Sequence, residues 1–260
     1  MIRPIPKLAW KGVIKRFEGR AVLDDLDLSV APGQSLVIIG GSGQGKSVTI
    51  KTALGLMRPE AGRIELDGRD VVGLSEGARR KLFSRVGVLF QGAALFDSLT
   101  VWENVAFRLI NADGVPRKQA RERAIEALDQ VRLAPTVAHR FPSELSGGMQ
   151  KRAGLARAVV GRPEILFFDE PTTGLDPITA AAINALIIDQ VKRLGCTAVS
   201  ITHDLASART IGDEIAMLHD GRIHWRGSAE DLSHADDPNV RRFVDAAGLS
   251  PVDVRAREIV

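Results

Sequence analysis

The chain has 260 residues, 45% of them hydrophobic and 26% charged, which suits one large domain with a sizeable buried core. Its 35 basic and 32 acidic residues leave a formal charge of +3, a balance that gives no warrant for nucleic-acid binding and predicts a mixed, solvated surface. One cysteine excludes an intrachain disulfide framework, and no run nears the roughly 18 consecutive apolar residues needed to span a bilayer.

The first twelve residues, MIRPIPKLAWKG, carry two prolines and no long apolar stretch, so they do not read as a secretory signal. The expectation is a cytoplasmic protein whose membrane role requires a partner. Leu26, Leu28 and Val30 alternate with polar residues, as do Ile64 and Leu66 before the turn signal Asp67-Gly68. Both read as half-exposed strands of an antiparallel lobe. Leu36-Val37-Ile38-Ile39, Ile165-Leu166-Phe167-Phe168 and, less strictly, Ala198-Val199-Ser200-Ile201 are apolar runs instead. Runs of that kind suit parallel strands buried on both faces. Helical patterns separate them, including Val48–Leu56, Met149–Val160, and Arg117–Val131 with Ala120, Ala124, Leu128 and Val131 on one side. That alternation implies a parallel α/β core. The stretch from Leu95 to Ser143 looks mostly helical and is assigned to a separate lobe. Cys196 opens an apolar run and reads as a small buried hydrophobe. The tail from Asp236 reads as an appendage.

Gly40-Gly41-Ser42-Gly43-Gln44-Gly45-Lys46-Ser47 matches G-x-x-x-x-G-K-[ST] directly after a predicted strand and before a predicted helix. Glycines there let backbone N–H groups curl round a phosphate. Lys46 would reach the β/γ-phosphates and the Ser47 hydroxyl would coordinate Mg²⁺. Asp169 and Glu170 end the run ILFF, where two carboxylates are costly unless metal, water or hydrogen bonds satisfy them. Because successive strand side chains point opposite ways, the pair divides its roles: Asp169 holds the Mg²⁺ shell and Glu170 polarises the attacking water. The bland alternative is that both cap the turn Pro171-Thr172-Thr173-Gly174.

His203 and Gln91 each follow a predicted strand, the edge where open α/β sheets bind ligands. His203 is assigned a γ-phosphate contact, against the alternative of a structural histidine. Gln91 is assigned a contact to Mg²⁺ or water, against that of a surface glutamine. Phe17, in a polar turn-like segment, could stack on an adenine face or fill the core. Trp102, Trp225, His139, His219, His224 and His234 show no metal-ligand spacing and read as structural or surface residues. In Leu145-Ser146-Gly147-Gly148-Met149-Gln150, two glycines follow a serine just before a helical run. Backbone N–H groups, a hydroxyl and a helix dipole can meet an anion there. That is a second phosphate-seeking element about 100 residues beyond the first.

These motifs, with Gly174-Leu175-Asp176, stand in the order and spacing of the ATP-binding subunits of ABC transporters, which the chain resembles from Leu8 to about Leu232. The resemblance implies an α/β P-loop NTPase, an ABC ATPase, with a parallel-sheet core, an N-terminal antiparallel β-lobe and an inserted helical lobe. It places the nucleotide-binding domain at residues 1–235, the helical lobe at about 95–160 and a short tail at 236–260. It implies ATP and Mg²⁺ as cofactors. ATP would contact Phe17, the Gly40–Ser47 loop, Val48 and Gln91, with Ser47, Gln91 and Asp169 on Mg²⁺ and with Glu170 and His203 catalytic. A second copy packed head to tail would add Ser146, Gly147, Gly148, Gln150 and Asp176 in trans.

The phrases Gln91–Val105, Asp176-Pro177-Ile178-Thr179 and Asp237–Phe243 are similar to the Mla/Mkl branch, the ATPases of lipid-trafficking systems with MCE proteins. That likeness implies phospholipid transport at the cytoplasmic face of the inner membrane. It implies as partners MlaE-like integral-membrane permease subunits, an MlaD-like MCE-domain protein and a small MlaB-like STAS-type subunit. The chain has no tyrosine, so the adenine-stacking position falls to Phe17. The rival within transport is an ABC importer of another solute, although the chain after His203 is too short for the added regulatory domain of some metal and amino-acid importers. A DNA-repair ATPase of this family would insert coiled coils or zinc modules before LSGGMQ, and a translation-associated one normally carries two such domains.

Overall fold

The computed structural model describes residues 5–246. The strands are β1 Leu8–Phe17, β2 Arg20–Val30, β3 Ser35–Ile39, β4 Ala61–Leu66, β5 Arg69–Asp70, β6 Val86–Leu89, β7 Ile165–Asp169, β8 Thr197–Ile201, β9 Glu214–His219 and β10 Arg222–Gly227. The helices are α1 Lys46–Ala53, α2 Glu76–Phe83, α3 Val101–Asn111, α4 Arg117–Gln130, α5 Gly147–Val159, α6 Pro177–Leu194, α7 Leu205–Ile211 and α8 Pro238–Ala246. The described residues form two compact units, one of residues 5–73 with 199–246 and one of residues 74–198.

In the first unit, β2, β1, β4 and β5 make an antiparallel sheet in that order. The alternation in β2 buries Leu23, Leu26, Leu28 and Val30. Trp10 is buried against α1, and its indole N–H donates to the Thr49 carbonyl at 3.1 Å, which satisfies the one polar atom of a core aromatic. Glu18 and Gly19 join β1 to β2 with φ of 49° and 81°, the double positive-φ geometry whose twist suits a two-residue hairpin. The parallel strands of this unit are β3 and β9, paired from Leu36↔Glu214 to Ile39↔Met217, and β10 adds antiparallel to β9. Each residue from Leu36 to Ile39 is buried, as a strand covered on both faces requires.

In the second unit, β6 and β7 pair in parallel from Val86↔Ile165 to Leu89↔Phe168. Helices α3, α4 and α5 pack on one another, with Ala120, Ala124, Leu128 and Val131 buried along α4 and its C-cap as the 3.6-residue pattern predicts. Thr100 and Glu103 form a capping box that fixes the start of α3. α6 begins at Pro177 behind the Asp176 cap and stops at the left-handed Gly195. Among the described residues no helix is long and apolar enough to cross a membrane. The tail reading falls partly on α8 and partly on residues 247–260, which lie outside the described residues.

Candidate functional site

In the first unit the Gly40–Ser47 loop joins the buried end of β3 to α1. Gly40 has φ +151°, and a β-carbon on it would stand 2.3 Å from the Leu218 carbonyl oxygen of β9, so no side chain fits. Lys46 is 8% exposed and folds back on the loop, donating to the Gly40 and Gly41 carbonyls at 2.8 and 2.9 Å. Its ammonium therefore sits over the mouth of the curl. The Gln44 side-chain oxygen serves the scaffold, accepting the Asp220 N–H at 2.6 Å. Ser47 and Val48 are half-buried in the first turn of α1.

His203 is exposed just past β8. The neighbouring Thr202 N–H donates to the Ile38 carbonyl at 3.2 Å, so the chain carrying His203 leaves beside the strand that feeds the loop. Phe17 is 42% exposed at the tip of the β1–β2 hairpin with the Lys15 ammonium 5.3 Å from its ring centroid. The core-filling alternative fails for it, because its ring faces solvent.

In the second unit Asp169 ends β7 and Glu170 follows it, each only 9% exposed. Strand alternation does not reach Glu170. That residue lies beyond the strand with φ +49°, so a left-handed backbone, not the pleat, aims its side chain. The turn-capping alternative is present as well: Thr173 donates its hydroxyl to Glu170 Oε2 at 2.9 Å and its N–H to the Glu170 carbonyl at 3.3 Å. The first contact orients the carboxylate and the second fixes the turn that follows it.

Gln91 is exposed just past β6. Its backbone, not its side chain, shows the connection that sequence reading missed. Lys151 of α5, 6% exposed, donates its ammonium to the Gln91 carbonyl and, at 3.2 Å, to the Glu170 carbonyl. Burial pushes the Lys151 amine below the ordinary lysine range, opposed by the charges of Asp169 and Glu170. Arg157 on the same helix donates to the Ala93 and Ala94 carbonyls at 2.5 and 2.6 Å. A signal existed for Lys151, since it lines up at helical spacing with the buried Gly154, Leu155 and Ala158.

The helix after Ser146 starts at Gly147, two residues earlier than the sequence pattern suggests, so both glycines form its first turn. Ser146 is the N-cap, its hydroxyl accepting the Met149 N–H at 3.4 Å. The first N–H groups of a helix have no intrahelical main-chain acceptor; here Gly147 is exposed and Gly148 half-buried, and a β-carbon on Gly148 would meet Thr179 of α6 at 2.7 Å. The Gln150 amide donates to the Pro142 carbonyl at 3.0 Å and so braces the segment leading into the helix. Asp176 caps α6, accepting from the Ile178 and Thr179 N–H groups at 3.0 Å, and the Thr179 hydroxyl with those bonds holds its carboxyl below the usual range.

The remaining aromatics and histidines have structural contacts. Trp102 is buried under the Arg117 guanidinium, His139 meets Arg121 at 3.0 Å, and His219 and His224 stack edge to face. His234 lies 3.3 Å from the Glu230 carbonyl, and Trp225 sits half-buried in β10. Cys196 is buried, and burial pushes its thiol up to about 11, which fits the small-hydrophobe reading.

A glycine-lined loop between a buried parallel strand and a helix, closed by a lysine and a hydroxyl, defines a P-loop nucleotide-binding fold. The family model described as ABC transporter matches residues 23–173, and the chain belongs to that family. It is an ATP-hydrolysing cassette, the ATP-binding subunit of an ABC transporter. Among curated proteins it is 38% identical over 242 residues to a probable ribonucleotide transport ATP-binding protein, mkl, of Mycobacterium leprae, covering 93% of this chain and 70% of that one. It is 39% identical over 261 residues to the methionine import ATP-binding protein MetN of Corynebacterium efficiens, covering 98% and 72%. Among solved structures, the ATP-binding cassette MJ0796, a dimer in a post-hydrolysis state with ADP and Pi, superposes with a TM-score of 0.78 at 31% identity, covering 85% of this chain and 98% of that one.

Proposed function

We propose that the chain powers a phospholipid ABC transport complex of the Mla/MCE type from the cytoplasmic face of the inner membrane, working as a head-to-tail homodimer with two ATP molecules between the copies. The observation that carries the dimer is the start of α5, where the Ser146 cap and Gly147 are exposed and Gly148 is half-buried. Its Ser146 hydroxyl and Gly147 and Gly148 N–H groups make an anion site in a chain whose own loop already cradles phosphates. The solved MJ0796 cassette is itself a dimer.

In each site the Gly40–Ser47 loop and Val48 hold the phosphates, Lys46 turns from its loop carbonyls to the β/γ oxygens, and Phe17 offers its open ring to adenine. Ser146, Gly147, Gly148 and Asp176 of the second copy close the site, with Gln150 holding the segment that presents them. The donors Ser47, Gln91 and Asp169 are all oxygen, which fits Mg²⁺. When bound, that ion neutralises charge on the phosphate oxygens. Glu170, oriented by Thr173, accepts a proton from water as the water oxygen attacks the γ-phosphorus. The bond to the bridging oxygen breaks and its electron pair leaves with ADP. His203 donates to the γ-phosphate. Closure follows ATP because the trans contacts exist only in the closed state.

Support for the lipid substrate is the likeness of Gln91–Val105, Asp176–Thr179 and Asp237–Phe243 to the Mla/Mkl branch, with MlaE-like permeases, an MlaD-like MCE protein and an MlaB-like STAS subunit as partners. The second reading is an importer of another solute, favoured by the 39% identity to a methionine import ATP-binding protein. Purification of the native membrane complex, with mass spectrometry of its subunits and bound lipid, tests the choice. An MCE-type partner with phospholipid is expected, and an amino-acid permease without one would overturn it.

A further inference from the structure

The buried ammonium of Lys151 has no role in the chemistry above, yet burying it is costly unless it is fully used. Its neighbours along the same helical stripe, Gly154, Leu155 and Ala158, are small or apolar, so packing alone calls for no charge at this place. What the ammonium reaches is specific. One bond goes to the carbonyl of Gln91, just past β6, and the other to the carbonyl of Glu170, just past β7.

Both carbonyls belong to residues outside the paired ladder of β6 and β7, which ends at Leu89↔Phe168. Glu170 is held in a left-handed conformation, so a small rotation of its peptide swings the carboxylate that activates water. The segment after Gln91 is gripped by the same helix: Ala93 and Ala94, with φ of 57° and 49°, give their carbonyls to Arg157. A β-carbon on Gly154 would lie 2.8 Å from Leu89 and 3.2 Å from Ala93, so α5 lies tight against the residues it grips.

We propose that Lys151 is a positioning residue for ATP hydrolysis: by donating to the Gln91 and Glu170 carbonyls at once, it holds these two residues in the register that turnover requires. The inference rests on the role of Glu170 given above. Because Ser146 caps the same helix, Lys151 links the turn offered to the second copy with the residue whose carboxylate acts on water.

The test is steady-state MgATP hydrolysis by the full chain with Lys151→Met, Lys151→Arg and, separately, Glu170→Gln, each with nucleotide-binding stoichiometry measured. A misplaced catalytic group costs up to about a hundredfold. Lys151→Met should lower kcat at least about tenfold with the KM for ATP within about threefold and the stoichiometry kept, and Lys151→Arg should recover about a third of the wild-type rate or more. The inference is overturned if Lys151→Met turns over within about twofold of wild type, if its loss matches an equal loss of binding stoichiometry, or if arginine rescues nothing. A near wild-type rate for Glu170→Gln would instead reject the role of Glu170 itself.

Discussion

Gly40 lies against Leu218 so closely that the Leu218 carbonyl oxygen occupies the place of a β-carbon, 2.3 Å from where one would sit. The first residue of the phosphate loop is thereby set by the strand beside it, and Gly40→Ala must move the loop or β9. Overpacking of that kind costs about 1–3 kcal/mol, and the positive φ adds to it. Urea unfolding should show a loss of about 2 kcal/mol or more, and a variant as stable as wild type would contradict the close approach.

Lys46 already spends its donors on the loop's own carbonyls, which orders the curl before any phosphate arrives. Lys46→Ala removes both that closure and the cation aimed at the β/γ-phosphates. Titration with a fluorescent ATP analogue should show a loss of affinity of at least about tenfold, about 1.4 kcal/mol. Unchanged affinity would reject the cradle assignment.

Asn104 is fully buried and clamps the segment before α3, donating to the Phe96, Leu99 and Thr100 carbonyls at 3.0–3.1 Å and accepting the Phe96 N–H at 2.7 Å. Asn104→Ala leaves several polar groups without that partner and opens a small void. A loss of about 2–4 kcal/mol is expected, with faster hydrogen exchange at the Phe96 amide. Exchange at that amide unchanged from wild type would show that the segment holds itself.

Glu214 is held below the usual carboxylate range chiefly by the Arg226 guanidinium, which forks onto both oxygens at 2.6 Å, and also by Gln34, while burial opposes the shift. For a depressed carboxylate the stabilisation is present above the unfolded pKa, near 4.5, and is lost as pH falls through the lower folded value. The stability gap between wild type and Glu214→Gln should therefore be constant above about pH 5.5 and shrink steadily below about pH 4.5. A gap that widens on acidification would give the shift the wrong sign.

Most of the fold was legible because its signals are local. Leu36–Ile39 and Ile165–Phe168 announce buried parallel strands by composition alone, and Asp176-Pro177 with Gly195 mark both ends of α6. The phosphate loop was legible for the same reason, since its chemistry lies in eight consecutive residues. The start of α5 was misplaced because glycine is a poor helix former, yet the first turn asks little of it, its N–H groups having no intrahelical acceptors anyway. The aim of Glu170 depends on a left-handed peptide after β7, which strand periodicity cannot express. Lys151 was hidden by its neighbours: in Gln150-Lys151-Arg152 it looks like one more surface charge, and only the carbonyls brought to it by β6 and β7 explain its burial.

In the proposed cycle ATP joins two copies of the chain and Glu170 releases them by hydrolysis. Light scattering of Glu170→Gln, with and without MgATP, separates this cycle from one run by a single copy. A 28.0 kDa monomer is expected without nucleotide and a particle of twice that mass with ATP, stable for as long as ATP is not hydrolysed. A Glu170→Gln chain that binds ATP and keeps the mass of a single copy would contradict it.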